Sequence, residues 1–351
     1  MSKPCRFVLS LVGVVSLVTL AVPTTAEAHP HTHDHDRSRD RDRVEVDRFD
    51  FPVTLSDGHR YAVAGWLYHV GPIQRHRVLQ VAVHGITYDH KYWDIGTLNG
   101  TDYSYARWMA REGHAVLAID QIGSGASGRP DGDFLSLDET ASALHQVLVN
   151  LRGKHSPIGR GFQSIALVGH SNGSLTSIYE AGTYHDADAV VSTAWQHAPH
   201  PLPFDPAAVL SQLTTPYLPA RSFPEPFLAA TFYHLPSIDP AMVHHDFVNL
   251  QADQSRGQFL DALGTGLNPS LSRSSQITEP CSSGSGLDGL APAAFGGPEP
   301  SYFPNARLTI RKSTRWSQRE RAPEPPPEQA RNRPLARGVT APLEAAYESL
   351  R

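Results

Sequence analysis

Cysteine is nearly absent from this chain of 351 residues, which contains only Cys5 and Cys281. We expect Cys5 to be removed with an N-terminal signal, so the mature chain would hold one cysteine and no internal disulfide. Its stability must then come from a hydrophobic core, and apolar residues make up 40% of the sequence. An excess of one charge is also lacking, because the formal net charge is only −5. Nucleic acid is therefore not expected as a partner.

Long apolar runs are lacking beyond the N-terminus. There, Lys3 and Arg6 precede an apolar run at residues 7–22, and Ala26 and Ala28 supply the small side chains that a signal peptidase reads. The run is short for a membrane-spanning helix. We therefore predict a signal peptide at residues 1–28, a secreted protein, and no stable membrane insertion after cleavage.

Residues 29–43 lack aliphatic and aromatic side chains and alternate His or Arg with Asp. Such a composition predicts a disordered leader. Its histidines, His29, His31, His33 and His35, could bind a metal ion, but their spacing is loose and no surrounding shell would fix them. We expect no metal site and no cofactor.

Strand-like and helix-like segments alternate between residues 44 and 198, which we take as the core of the fold. Two antiparallel strands are predicted first, at residues 44–55 and 61–69. Buried strands and helical periodicities then follow in turn, at residues 78–84, 103–112, 115–120, 137–152, 165–168, 175–181 and 189–194. This alternation predicts an α/β fold with a mostly parallel sheet and crossover helices.

The alternation ends after residue 198. Residues 199–240 are rich in proline and aromatic residues, and residues 242–263 have a helical pattern. We predict a cap insertion over residues 199–262 and a divergent remainder of the core over residues 263–310, with a last strand at residues 306–310. Residues 311–351 are basic, Pro-rich and poor in aliphatic side chains, which predicts a largely disordered tail.

The strongest chemical signal is the pentapeptide Gly169-His170-Ser171-Asn172-Gly173. It matches G-x-S-x-G between a buried strand and a helix, a context in which the serine occupies a sharp turn above the sheet. The glycines are needed because side chains there would contact the neighbouring backbone. We predict Ser171 as a nucleophile; the alternative is a Gly-rich turn whose serine caps the helix.

Two other segments follow parallel strands. His84-Gly85 follows the first, where the loop can present the N–H of Ile86 beside the N–H of Asn172 to form an oxyanion hole. His84 itself is expected to be structural. The Gly-rich turn at residues 120–127 follows the second and is expected to shape the rim of the site. A phosphate loop is disfavoured there because no P-loop lysine follows.

The three segments are HG at residues 84–85, DxxGxGxS at residues 120–127 and GHSNG at residues 169–173. Together they resemble the α/β-hydrolase superfamily. The resemblance implies an α/β-hydrolase fold with an eight-stranded sheet, a cap, and a Ser–acid–His triad in that chain order. Ser171 matches the nucleophile. Asp288 stands where the acid would be, although residues 281–285 are a poor strand sequence; Asp253 and Asp261 are the alternatives.

Histidine is missing where the resemblance requires the base. The chain has 19 histidines, and the last is His245, whereas the family's base would follow the final strand near residue 310. A serine without a base is a weak nucleophile. Three explanations stay open: a shifted reading frame has altered the tail; His197, His244 or His245 serves instead; or the protein binds without turnover.

The reaction implied by the resemblance is acyl transfer from Ser171 to water. The aromatic, Pro-rich cap favours an ester of an apolar small molecule or a lipid as substrate. The alternative function is a secreted binding protein, a pseudoenzyme on a hydrolase scaffold.

Overall fold

The structure is a computed structural model that describes residues 43–154, 156–159, 161–195, 209–233 and 238–278, together with the backbone of residues 281–284. The predicted signal peptide, leader, last strand at residues 306–310 and basic tail lie outside the described residues. Asp288 and His197 also lie outside them.

Seven strands form the central sheet. They are β1 (Val44–Thr54), β2 (Arg60–Val70), β3 (Val78–Val83), β6 (Ala115–Ile119), β7 (Ser164–His170), β8 (Ala189–Thr193) and β11 (Cys281–Gly284). Their spatial order is β1-β2-β6-β3-β7-β8-β11. The pairs β1–β2 and β2–β6 are antiparallel, and the strands from β6 to β11 run parallel.

Two short ribbons lie outside this sheet. One pairs β4 (Thr97–Leu98) with β5 (Thr101–Asp102), and the other pairs β9 (Tyr217–Leu218) with β10 (Gln254–Ser255). Both strands of the second ribbon lie within the predicted cap.

The described α-helices are α1 (Tyr105–Arg111), α2 (Leu137–Arg152), α3 (Asn172–Tyr184), α4 (Glu225–Phe232), α5 (Pro240–His245) and α6 (Arg256–Leu267). A π-helical turn, Asp246–Leu250, continues α5, and 3-10 turns cover His90–Trp93, Pro269–Ser272 and Ser274–Gln276. Ser136 caps α2 by accepting a hydrogen bond from the N–H of Glu139. None of the described helices has the length and hydropathy needed to cross a bilayer.

The sheet is covered on both faces because successive side chains of each strand point to opposite sides. In β3, Val81 and Val83 enter the apolar cluster that contains the buried face of α2, whereas Ala82 enters the cluster that contains α1. All three side chains are fully buried. The predicted fold class, a mostly parallel sheet flanked by helices, is confirmed.

The described residues form seven strands of the main sheet, and the predicted last strand at residues 306–310 lies outside them. Two other expectations differ from the structure. The helix expected at residues 242–263 is interrupted at residues 251–255, because Gln254 and Ser255 leave the helix to pair with β9. Cys281–Gly284 is a strand despite its poor composition, because its backbone pairs in parallel with β8.

Candidate active site

Ser171 occupies the sharp turn between β7 and α3. Its backbone angles, φ 51° and ψ −121°, are unusual for a residue with a side chain. The turn is held from both sides: the Ser171 N–H donates to the Thr193 carbonyl at 2.8 Å, and its own carbonyl accepts from the Ser174 N–H at 2.9 Å. A strained, over-determined serine of this kind is typical of a functional position.

The glycines that flank Ser171 allow the surrounding backbone to approach closely. A Cβ at Gly169 would lie 2.4 Å from the Cα of Ser174, and one at Gly173 would lie 2.2 Å from the carbonyl oxygen of Val83. Both distances are too short for any real side chain. The G-x-S-x-G pattern therefore has a steric cause in this turn.

The loop after β3 runs beside the serine. A Cβ built on Gly85 would lie 3.2 Å from the Cβ of Ser171, so the chain that leads into Ile86 passes next to the candidate nucleophile. Within the described residues, the Ile86 N–H has no hydrogen-bond acceptor. Asn172 is the first residue of α3, where a backbone N–H has no partner inside the helix. Both predicted oxyanion donors thus belong to backbone that borders Ser171.

His84 links the ends of two strands. Its Nε2 accepts from the Gln121 N–H at 3.0 Å, so its Nδ1 carries the proton and donates to the Gly85 carbonyl at 2.8 Å. The Gln121 side chain returns a bond to the His84 carbonyl at 2.8 Å. Burial lowers the pKa of His84, which keeps the ring neutral. This geometry fits the structural role expected from the sequence.

His170 is buried beneath the same turn. Its ring stacks on Tyr92 with centroids 4.5 Å apart, and its Nδ1 lies 3.3 Å from the Thr193 hydroxyl. Burial, with the nearby His84 as a lesser cause, lowers the pKa of His170 to about 3. The ring is therefore an uncharged support for the turn at neutral pH.

Asp120 organises the Gly-rich turn at residues 120–127. Its buried carboxylate accepts from the Ala126 N–H at 2.6 Å and from the backbone and ring nitrogens of His90 at 2.7 and 2.8 Å. Burial alone would raise the pKa of Asp120, but the hydrogen bond and charge of His90 outweigh it and lower the pKa. A Cβ at Gly125 would collide with this carboxylate at 2.1 Å. Gly125 therefore makes room for Asp120.

Residues 100–257 match the family model described as "Serine aminopeptidase, S33". That stretch includes the Asp120 turn, the Ser171 turn and the return from the cap. Together with the mostly parallel sheet and the Ser171 turn, this match shows an α/β-hydrolase fold. The match supports hydrolase activity in general for this chain.

Several solved structures are similar to this chain. The α/β hydrolase GrgF from Penicillium sp. sh18 is 18% identical over 71% of this chain and 92% of its own, with a TM-score of 0.42. An esterase (EaEST) from Exiguobacterium antarcticum is 12% identical over 62% and 73%, with a TM-score of 0.41. A membrane phospholipase A described as a bacterial virulence factor is 16% identical over 74% and 77%, with a TM-score of 0.43. Among curated proteins no relative matches the sequence.

The two alternative acids, Asp253 and Asp261, have structural partners. Asp253 accepts from the Ala220 N–H at 2.9 Å and forms an ion pair with Arg129 at 2.7 Å. Asp261 accepts from the N–H of Leu137, at the start of α2, at 2.7 Å. Both carboxylates therefore tie helices or loops together, and Asp288 stays the predicted acid of the triad.

His244 and His245, two histidines that could replace the missing base, each have another side chain as partner. His244 is 70% exposed, and its Nδ1 lies 3.1 Å from a carboxylate oxygen of Glu225. The Nδ1 of His245 lies 3.2 Å from the side-chain nitrogen of Asn249. No side chain among the described residues hydrogen-bonds the Ser171 hydroxyl.

Two groups in the described part of the chain have donor atoms close enough together to hold a cation. In the first, Asp89, His90 and Asp120, the Lys91 ammonium already lies 3.1 Å from the Asp89 carboxylate. In the second, which sequence reasoning missed, His145 Nδ1 lies 2.8 Å from the Asp186 carboxylate and Glu180 completes the group. We assign no metal to either group.

Proposed function

We propose that this α/β hydrolase is a secreted serine hydrolase that cleaves an ester, or a related acyl bond, in an apolar small molecule or lipid. One observation carries the proposal: Ser171 is held at positive φ between β7 and α3, directly beside the Gly85–Ile86 backbone. A serine that only capped a helix would not need this strain.

The proposed chemistry begins when the Ser171 hydroxyl attacks the carbonyl carbon of the ester. The carbonyl oxygen becomes an oxyanion, which accepts hydrogen bonds from the N–H groups of Ile86 and Asn172. A base takes the proton of Ser171 and gives it to the departing alcohol. Water then attacks the acyl-enzyme, which releases the acid and restores the serine. Asp288 is the acid proposed to orient the base.

An apolar substrate is supported by the surroundings of Ile86. Its side chain packs against a buried cluster from the cap and α6 that includes Phe223, Leu228 and Phe259. Partly buried aromatic residues, Phe227, Phe232 and Phe247, pack against the same cluster. An acyl group bound at the Ile86 amide would therefore meet hydrocarbon surface.

For the base we propose that a shifted reading frame has altered the end of the chain. The main sheet continues to β11, which pairs with β8, and the composition then loses the pattern expected of a hydrolase core. Sequencing the coding DNA tests this. We expect an alternative frame to encode a histidine downstream of codons 275–320. An intact frame with no such histidine in the other frames would remove the explanation.

A binding protein without turnover is the second candidate function. It is favoured by the lack of any histidine after His245 and by the lack of a described partner for the Ser171 hydroxyl. Loss of the base of a serine triad costs about 10⁶-fold in turnover. Such a protein would still bind apolar esters through the surface around Ile86.

Hydrolysis of p-nitrophenyl esters by the purified secreted chain separates the two candidates. A serine hydrolase should release p-nitrophenol, favour longer acyl chains, and lose this activity in Ser171→Ala. Equal rates for the wild type and Ser171→Ala would reject the enzyme. Binding without turnover would favour the second candidate.

Secretion is proposed from the N-terminal sequence alone. N-terminal sequencing of the protein from culture medium should begin at His29. A protein that stays with the cells and begins at Met1 would contradict secretion.

A further inference from the structure

The loop that carries Ile86 is held by a distant segment of the predicted cap, at residues 252–254. Thr87 has a positive φ of 63°, which is costly for a β-branched residue. Its carbonyl accepts from the Ala252 N–H at 2.6 Å, and its N–H donates to the side-chain oxygen of Gln254 at 3.1 Å. The hydroxyl of Thr87 is buried and has no hydrogen-bond partner among the described residues. The conformation of Thr87 therefore depends on bonds supplied by the distant segment.

The Gln254 amide has a fixed orientation because it belongs to a directional chain of hydrogen bonds. Its nitrogen donates to the side-chain oxygen of Gln258 at 2.5 Å. The Gln258 nitrogen in turn donates to the Ile122 carbonyl at 3.1 Å and to the Thr140 hydroxyl at 3.0 Å. A flipped Gln254 amide would face the Thr87 N–H with another donor. Both glutamines are buried, so water cannot replace these bonds readily.

We propose that Gln254 is a positioning residue of the oxyanion hole, which fixes the Ile86 N–H by holding Thr87 in its strained conformation. The inference rests on the proposed function, in which Ile86 donates to the oxyanion. Gln254 itself touches neither Ser171 nor the substrate in this proposal. Its effect should appear in the chemical step, because the oxyanion forms only there.

The variant Gln254→Met tests the proposal, because methionine has a similar shape and lacks the acceptor for Thr87. Thr140→Val is the matched control: it removes both hydrogen bonds of the Thr140 hydroxyl, from Gln258 and to the Ser136 carbonyl, and leaves the Thr87–Gln254 contact in place. Two measurements are made on the full secreted chain: hydrogen–deuterium exchange of a peptide spanning residues 84–90, and turnover of a p-nitrophenyl ester.

We expect exchange in residues 84–90 to rise at least tenfold in Gln254→Met and to change less than twofold in Thr140→Val. In Gln254→Met, kcat should fall ten- to a hundredfold, whereas KM should stay within twofold of the wild-type value. This pattern is expected when an interaction made only in the transition state is lost. Unchanged exchange in Gln254→Met would overturn the proposal. So would a kcat no lower than that of Thr140→Val.

The variant Gln254→Glu supplies a pH readout that general destabilisation would not give. A protonated glutamic acid can accept from Thr87 and donate to Gln258, whereas a carboxylate would place a negative oxygen against the Gln258 oxygen. We expect its kcat to be near the wild-type value at low pH and to fall as the pH rises, relative to the wild type. A pH profile parallel to that of the wild type would overturn the proposal. A wild type with no turnover would refute the proposed function instead, and the exchange data would still decide whether Gln254 holds the loop.

Discussion

Gly173 lies so close to β3 that a Cβ at this position would be 2.2 Å from the carbonyl oxygen of Val83. The carbonyl oxygen of His84 would be at 2.3 Å. Both obstacles are backbone atoms of a buried strand end, so no side-chain rotation relieves them. Because Gly173 has no side chain, the first turn of α3 can pack directly against the end of β3. This contact fixes the position of Ser171, which precedes α3.

Gly173→Ala should lower the free energy of unfolding by about 3 kcal/mol or more, as a severe case of overpacking. Gly266→Ala is the matched control, because it is in α6 and a Cβ there would meet nothing within 4 Å. The control should be neutral or gain up to about 1 kcal/mol from the helix preference of alanine. Urea denaturation measures both values, and equal effects would contradict the steric explanation.

Ser171 should be strained by its own Cβ. Ser171→Gly should raise the free energy of unfolding by about 1 kcal/mol or more relative to Ser171→Ala, because only glycine relieves the positive φ. Both variants lack the hydroxyl, so the comparison isolates the backbone. Thermal unfolding of the pair measures the difference. A glycine variant less stable than the alanine variant would show that the turn carries no such strain.

Much of the fold could be predicted from the sequence because its signals are local. Runs such as residues 78–84 and 115–120 are buried on both faces, and α2 occupies the predicted residues 137–152. The strand at Cys281–Gly284 could not be predicted, because it depends on parallel pairing with β8 and not on its own side chains. The interruption near Gln254 has the same origin, a pairing with distant β9.

The candidate site was predictable only where a motif is contiguous. The pentapeptide around Ser171 has a local steric cause, so its pattern is visible in the sequence. Thr193, whose carbonyl holds the Ser171 N–H, and Gln254, which holds Thr87, contact the site from 22 and 167 residues away in the chain. Neither has a sequence signal of its own, since any residue can supply a carbonyl and a lone glutamine is unremarkable.

His170 should make stability depend on pH. Burial lowers the pKa of His170 in the folded chain to about 3, whereas an unfolded histidine has a pKa of about 6.5. Between these values the unfolded chain binds the additional proton, so the free energy of unfolding falls as the pH decreases from 6.5. His170→Phe retains an aromatic ring against Tyr92 and removes this proton. The stability of the wild type relative to this variant should decline by up to about 1.4 kcal/mol per pH unit below 6. A difference that is constant with pH would contradict a buried neutral His170.

Asp246 should make the free energy of unfolding depend on pH in the opposite direction to His170. Its carboxylate accepts from the hydroxyls of Tyr88 and Tyr233 at 2.9 and 2.6 Å and from the Gln251 side chain at 2.7 Å. Burial raises the pKa of Asp246 despite these hydrogen bonds and the nearby His245. The folded chain therefore holds the proton at a pH where the unfolded chain has released it.

Protonation of Asp246 therefore stabilises the folded chain. This contribution is fully present below the pKa of about 4 of an unfolded aspartate, and it is lost as the pH rises through the pKa of Asp246 in the folded chain. Asp246→Asn keeps an acceptor for both tyrosines and does not titrate. We expect the stability of the wild type relative to this variant to fall as the pH rises above about 4. Chemical denaturation at a series of pH values measures it, and a rising difference would contradict the sign.

The most direct measurement is labelling with a fluorophosphonate, followed by peptide mass spectrometry to locate the adduct. Such a probe bonds to a serine whose hydroxyl is nucleophilic and faces an oxyanion hole. If Ser171 is the nucleophile of a hydrolase, the adduct will be on Ser171, and Ser171→Ala will not be labelled. A wild type that is not labelled by the probe, or an adduct on Ser174 or another serine, would contradict the assignment of Ser171 as the nucleophile.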